Sequence, residues 1–229
     1  MTTSGTTNFN PSLGEMTIYA FNLCGVRGTA LLQEHMESAR MAANMLLTTW
    51  SSRGVNLWRV DLQTVPLVAG QGTYSVPTNN VVMLDTYIST TTGSQTIDRI
   101  ILPVSRTEYS AFPNKQQQGF PTVFWQDRLI NGTVTLWPVP DGTQTALKYY
   151  EVVQIEDAGF TNSQTVNVPS YFLEAMAYGL AYRLAITWAP ERALMLKQLA
   201  DESYQIAADQ NIESSDVFLS PMTSAYFRI

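Results

Sequence analysis

Residues 36–61 read MESARMAANMLLTTWSSRGVNLWRVD, and the two halves of this stretch have different periods. Met36, Ala39, Ala43, Leu46, Leu47 and Trp50 recur at three- and four-residue spacing, which places them on one face of a helix. Ser51, Ser52 and Gly54 stop that helix, with Gly54 suited to a left-handed residue just past its end. Val55, Leu57, Trp58 and Val60 follow with the composition of a strand. A helix therefore runs into a β block with no linker between them.

Working toward the N-terminus, a second helix precedes the first. Asn10-Pro11-Ser12 opens it, and Ser12 with Glu15 has the spacing of a capping box. It runs from Pro11 to Cys24, with Leu13, Met16, Ala20 and Leu23 facing inward. Gly25 and Gly28 bracket a short connection to the next helix, Ala30–Arg53, and the pair is expected to pack antiparallel. Residues 1–9 are polar and expected to be flexible.

Toward the C-terminus the chain reads as all-β. Candidate strands are 57–68, 73–76, 81–91, 95–104, 121–127, 133–138 and 145–155. Turn pairs punctuate them, of which Asn131-Gly132 and Asp141-Gly142 are the stronger hairpin signals. Short strands with regular turns suggest a sandwich or barrel. Ser105 and Glu108 form another capping-box spacing and open a short helix that ends before Pro113. The segment 113–120, PNKQQQGF, is a polar loop.

Helical periodicity returns at Val168-Pro169-Ser170. Phe172, Ala175, Met176, Gly179, Ala185, Ile186 and Trp188 mark one helix, with Gly179 and Ala181 allowing a close helix approach. Pro190 restarts a helix that runs to Asn211, with Leu194, Leu196, Leu199, Tyr204 and Ala208 apolar. The last segment, 213–229, has no long helical pattern, yet it carries Val217, Phe218, Leu219, Tyr226, Phe227 and Ile229. Such a tail either packs back on its own domain or docks on a partner. The expected fold is α+β. Residues 10–54 and 168–212 form a helical bundle, 55–167 an inserted antiparallel sandwich or barrel-like β domain, and 213–229 an extended arm.

The composition narrows the function classes. The chain has 229 residues, enough for a sizeable core, and its charged fraction of 14% is low. Thr, Ser, Gln and Asn take the place of charges, which suits β structure and subunit contacts. The net charge of −6 and the absence of any basic stripe argue against gripping nucleic acid. One cysteine, Cys24, leaves no partner for an intrachain disulfide and no cysteine metal site. In its apolar helical setting it reads as a small buried hydrophobe. No apolar run reaches the ~18 residues of a membrane span. The N-terminus lacks the features of a signal peptide, so synthesis in the cytoplasm is expected.

Chemistry is sparse. The one histidine, His35, has no HExxH or paired-histidine spacing around it and reads as solvated or interhelical. A Cys24–His35 nucleophile would lack a cationic setting to lower the thiol pKa. Asp85, Asp98 and Asp127 lie on candidate strands, and Trp58, Trp125 and Trp137 could line a sugar groove. The plainer reading has the tryptophans filling the β core and the acids facing solvent or capping turns. There is no P-loop, G-x-G-x-x-G or zinc knuckle. No catalytic, metal or cofactor site is expected, and the chain does not read as an enzyme.

The phrases of the sequence carry a resemblance. AANMLLTTWSSRGVNLWRVD (42–61), GQGTYSVP (70–77), VVMLDTYI (81–88), PVSRTEYSAFPNK (103–115), GFPTVFWQDR (119–128), TLWPVPDG (135–142), YYEVVQIEDAG (149–159) and the helical run 171–211 resemble, in order and wording, the head-to-tail adaptor (connector) proteins of short-tailed, podovirus-like bacteriophages. The resemblance spans residues 10–212.

It implies a structural virion protein of the neck. About twelve copies would form a ring between the capsid portal and the tail nozzle, around the DNA channel. Portal, nozzle and tail fibre are the implied partners; double-stranded DNA would pass without specific binding, and no membrane is involved. Met36, Ala39, Ala43, Leu46, Trp50, Phe172, Met176 and Trp188 would serve bundle and subunit packing. Val217, Phe218, Leu219, Tyr226, Phe227 and Ile229 would form a portal-binding arm that orders on binding. The alternatives are a nozzle or tail-completion protein, or a glycan-binding tail module.

Overall fold

The computed structural model describes residues 5–6, 9–54, 57–159 and 164–212. Most of the N-terminal nine residues and all of the expected arm, with Val217, Phe218, Leu219, Tyr226, Phe227 and Ile229, lie outside the described residues. The fold is α+β.

Helix α1 (Leu13–Cys24) begins at a reciprocal cap. Ser12 Oγ accepts the Glu15 N–H at 3.3 Å, and Glu15 Oε2 accepts the Ser12 N–H at 2.8 Å. Gly25 closes the helix in the left-handed region. Helix α2 (Gln33–Ser51) starts later than its periodicity suggests, because Gly28–Ala30 form a separate 3-10 turn. His35 opens α2: its Nδ1 accepts the Leu32 N–H at 3.1 Å. Two more helices, α4 (Leu173–Trp188) and α5 (Ala193–Gln210), follow the β region, and α3 (Arg106–Ala111) lies inside it.

The expected antiparallel pair of α1 and α2 does not form the unit of packing. Both lie against α4 instead, and α5 packs on α4 as well. Between α1 and α2 themselves the contact is made by side chains such as Phe21 and His35, with ring centroids 5.3 Å apart. α4 is the centre because small residues let neighbours approach it from several sides. Ala175, Ala177, Gly179, Ala181 and Ala185 are all buried. A Cβ on Gly179 would sit 2.9 Å from Leu46 Cδ2 of α2.

Two four-stranded sheets form the β region, β1 (Val60–Pro66), β8 (Ala146–Val153), β3 (Asn80–Thr92) and β4 (Gln95–Ile100) in one, β2 (Thr73–Ser75), β7 (Thr133–Trp137), β6 (Val123–Asp127) and β5 (Leu102–Pro103) in the other. All pairs are antiparallel except β5 with β6. The stretch 95–104 is not one strand. Ile101 turns into the core, its N–H donating to Thr86 O at 3.0 Å, and the chain crosses from the first sheet to the second. Ile88, Leu147 and Tyr149 from one sheet meet Phe124, Val134 and Leu136 from the other, which makes a sandwich.

The sandwich core turns polar at one end. Glu151 is fully buried; it accepts from Asn80 Nδ2, and Asn80 Oδ1 accepts from Gln126 Nε2 at 2.8 Å. Glu151 Oε1 and Tyr149 Oη have no hydrogen-bond partner of good geometry. Burial raises the Glu151 carboxyl above its usual range, Asn80 and Gln63 pull it back, and Asp61 on β1 raises it further. Burial, with Glu151 adding to it, pushes the Tyr149 hydroxyl up to about 12.

Bundle and sandwich are joined by more than the chain. Phe172, at the start of α4, touches Trp50 (5.5 Å between centroids), Trp58 (6.0 Å) and Tyr204 (6.0 Å). Ser51 Oγ accepts the Ile155 N–H at 3.1 Å. Asn44 bonds both backbone groups of Ala158, at 2.8 and 3.1 Å. The segment leaving β8 is thereby pinned along α2. Gly54, at φ 83°, makes the turn between the two halves.

Two outcomes follow from this packing. Gly179→Val should destabilise the protein by about 1–3 kcal/mol in urea unfolding, since a branched side chain meets Leu46 in a filled interface. Leu46→Ala in the same chain should recover part of that loss, and strict additivity would show that the two do not touch. For Glu151, a folded pKa above the unfolded value means its stabilising contribution is complete below the unfolded pKa. It is lost as pH rises through the folded one. Glu151→Gln should therefore flatten the fall in unfolding free energy from pH 5 to pH 8. An unchanged difference between variant and parent across that range would contradict it.

Candidate interaction surfaces

The chemically distinctive residues are occupied locally. Cys24 is buried, its Sγ 3.4 Å from Ala181 O, and burial pushes its thiol up to about 11 against the pull of Arg192. A protonated, enclosed thiol is a poor nucleophile. His35 is interhelical: it stacks on Trp188 of α4 at 4.1 Å and meets Phe21 of α1 edge-on. Because Nδ1 is an acceptor, the neutral ring carries its proton on Nε2. Among the described residues, no group of three or more His, Cys, Asp or Glu is arranged to hold a metal ion.

Nor do the strand acids assemble. Asp98 accepts from Ser89 on the neighbouring strand, and Asp127 Oδ1 takes the Leu129 N–H at 3.2 Å. Asp85 is exposed. The tryptophans do not fill the β core, contrary to the sequence expectation. Trp58 packs against the helical core. Trp125 and Trp137 lie outside the sandwich, under α3, where Trp125 stacks on Tyr109 (5.5 Å) and Trp137 on Phe112 (4.0 Å). Alternation is the reason: Phe124, Val134 and Leu136 take the inward positions of β6 and β7, so the odd-numbered neighbours point out.

The basic side chains are largely used within the subunit. Arg192 Nη1 donates to Leu23 O at 3.0 Å, and Arg183 Nη2 to Thr49 Oγ1 at 3.0 Å. Arg53 lies over the Tyr204 ring and Arg99 over Phe120, at 4.8 and 4.6 Å. One ion pair occurs among the described residues, Arg59–Glu156 at 3.8 Å. No helix among them is long and apolar enough to cross a membrane.

What the surface offers is apolar. Ala39, Ala43, Leu46, Trp50, Phe172 and Met176 are buried inside the bundle, with Met36 and Trp188 half-buried. The six buried ones pack within the subunit, while Met36 and Trp188 keep part of their surface exposed. Two residues expected in the core face solvent: Ile186 is 58% and Leu194 72% exposed, since each lies at the end of its helix beyond the covering neighbours. Met41 and Met45 on α2, and Met195 and Ile206 on α5, are exposed too. On the outer face of the first sheet, Leu62, Tyr150, Tyr87 and Ile100 make a stripe across all four strands. None of these is marked in the sequence, because periodicity separates inward from outward only where a helix has one covered side.

A groove of about 520 Å³ lies between α1 and α4. Met16, Leu173 and Ala177 lie along it, Phe9, Tyr19 and Tyr178 wall it, and Glu15 and Glu174 provide its charges. Its lining is apolar and aromatic apart from Glu15, Glu174 and Ser170.

Comparison with known proteins gives a context for these surfaces. No curated protein matches the chain. The sequence profile described as SU10 adaptor protein matches residues 31–224, from just before α2 through both sheets, α4 and α5. A match over that much of the chain, in agreement with the phrases read above, means that this protein belongs to the SU10 adaptor protein family, consistent with a phage head-to-tail adaptor.

Proposed function

We propose that the protein is a neck component that joins the phage head to its tail as a ring of about twelve copies, seated between the portal and the tail nozzle. The observation that carries this reading is the family match over α2, both sheets, α4 and α5. The ring is built from neighbouring bundles side by side, through exposed apolar residues such as Met41, Met45, Met195 and Ile206. The core residues Ala39, Ala43, Leu46, Trp50, Phe172 and Met176 are then the scaffold behind those contacts. The sandwich, pinned to α2 through Ser51 and Asn44, faces the tail or its fibres as one body with the bundle.

The charge fits a conduit. A chain of net charge −6, with Arg53, Arg59, Arg99, Arg183 and Arg192 tied to carbonyls, hydroxyls and rings, offers little that would hold passing DNA. The arm, with Val217, Phe218, Leu219, Tyr226, Phe227 and Ile229, attaches to the portal, the cost of ordering it offset by apolar burial. A nozzle or tail-completion role would use the same surfaces at a different level of the tail. A glycan-binding role has less support, since α3 covers one face of both Trp125 and Trp137.

The test is assembly. Full-length chain mixed with purified portal should yield a ring-sized addition in native mass measurement. The chain cut after Ile212 should remain folded and fail to add. Equal attachment of the shortened chain would remove the arm from the reading, and failure of the full chain to add at all would remove the portal.

A further inference from the structure

We propose that the groove between α1 and α4 is the seat of the chain's own C-terminal segment, Tyr226–Ile229, in the subunit before it joins the head. The argument starts from what the groove lacks. It is lined by apolar and aromatic side chains, and its charged residues, Glu15 and Glu174, are both acidic. Glu15 is held ionised, its carboxyl kept below the usual range by the backbone and side-chain hydrogen bonds from Ser12. An occupant that fits must bring bulky apolar groups and a positive charge together.

The exposed apolar helix faces of a second copy do not have that combination. The outer stripe of the first sheet does carry Lys148, over the Tyr87 ring, but on side chains fixed in a sheet face and not on a chain end that can enter a groove. Met41 and Met45 share their face of α2 with Glu34 and Glu37, at helical spacing. Met195 and Ile206 share theirs on α5 with Glu202. Each would set carboxylates against carboxylates. The C-terminal sequence Tyr-Phe-Arg-Ile does match. Arg228 is the one cation between Glu213 and Ile229, and it lies between two large apolar residues.

The route is short. α5 runs back along α4, and Tyr204 near its end touches Phe172, whose neighbours Ser170 and Leu173 line the groove. Asn211, the residue after α5, accepts the Leu57 N–H through Oδ1 at that same end of the bundle. From there the residues up to Ala225 reach about 45 Å when extended, far more than one helix diameter of ~10–12 Å. Docking covers Tyr226, Phe227 and Ile229 and places Arg228 against Glu174. It rests on the adaptor reading for its consequence, since attachment to the portal then requires the segment to leave the groove. The docking itself is argued from the groove and the tail alone.

The experiment uses the full chain without any portal. Ser170→Cys and Ser224→Cys are near-isosteric and place one thiol at the groove and one beside the segment; the native Cys24 is buried and stays out of the reaction. Mild oxidation should give a disulfide within one chain, identified by peptide mass on the monomer band. Phe227→Ser should slow its formation about tenfold, as expected when a docked segment becomes a free one. Arg228→Glu should slow it similarly, and Glu174→Lys in that background should restore it. All variants should keep a cooperative unfolding transition, because the changes lie outside the core. Disulfides formed chiefly between chains would place a second copy's tail in the groove and overturn the proposal. Rates indifferent to Phe227 and Arg228 would reduce the reaction to random encounter, which also overturns it. Neither result touches head-to-tail joining, which the portal mixture tests separately.

Discussion

Everything in the bundle depends on how closely α2 approaches α4 at Gly179. A helix that must receive three others cannot carry large side chains on every side, because their volume would hold the partners off. Ala175, Ala177, Ala181 and Ala185 solve the same problem around the rest of α4. Leu46 and Trp50 from α2, Phe21 from α1 and Leu196 from α5 pack around it, beside Met176, Leu180 and Leu184 of α4 itself. The small residues sit in the element that the other three bundle helices all pack against. That is also why α1 and α2 need little mutual contact, since each finishes its burial on α4.

The same geometry fixes the β domain. α4 starts at Phe172, and Phe172 is where Trp50 of α2, Trp58 after the Gly54 turn and Tyr204 of α5 converge. Hydrogen bonds from Ser51 and Asn44 then hold the segment after β8 against α2. These are buried or half-buried polar links whose partners are backbone groups that would otherwise go unpaired. A hinge needs a stretch with few such links. This junction has aromatic packing and backbone pairing side by side, which is not the make-up of a hinge.

Local signals in the sequence were reliable where the physics is local. The capping boxes at Ser12 and Ser105, the left-handed Gly54 and the order of strands are all read from neighbours a few residues apart. What sequence spacing could not reveal was which helix is central. The composition of α4 signalled close approach at Gly179 and Ala181, but not that three helices would share it. The late start of α2 was hidden because histidine is an uncommon cap, and His35 does that job by accepting the Leu32 N–H. The break at Ile101 was hidden for another reason: both halves of 95–104 are strand, and only the packing of two sheets decides that they belong to different ones. The tryptophans were misplaced by treating size as depth. Trp125 and Trp137 sit at outward positions that α3 happens to cover. The groove had no sequence signal, since it is made by Tyr19 and Tyr178 from helices more than a hundred residues apart in the chain.

The low charge content bears on how such a protein meets its neighbours. Burying an ionised side chain in an interface costs more than burying a threonine or glutamine, because a lost hydration shell is replaced only if a partner is placed for it. With charged residues at 14% and one ion pair among the described residues, most contact surface can be covered without that cost. Specificity then has to come from shape and from the few charges that remain at defined places, such as Glu15 and Glu174 beside an apolar groove. A surface of this kind is stable in water while exposed and loses little when covered, which is what a subunit needs if it is made singly and used in an assembly. A net charge of −6 opposes contact between copies, so the proposed ring would need apolar contact that outweighs this repulsion. In the proposed assembly, affinity would then rest on the exposed leucines, isoleucines and methionines, and the charges would decide which faces meet.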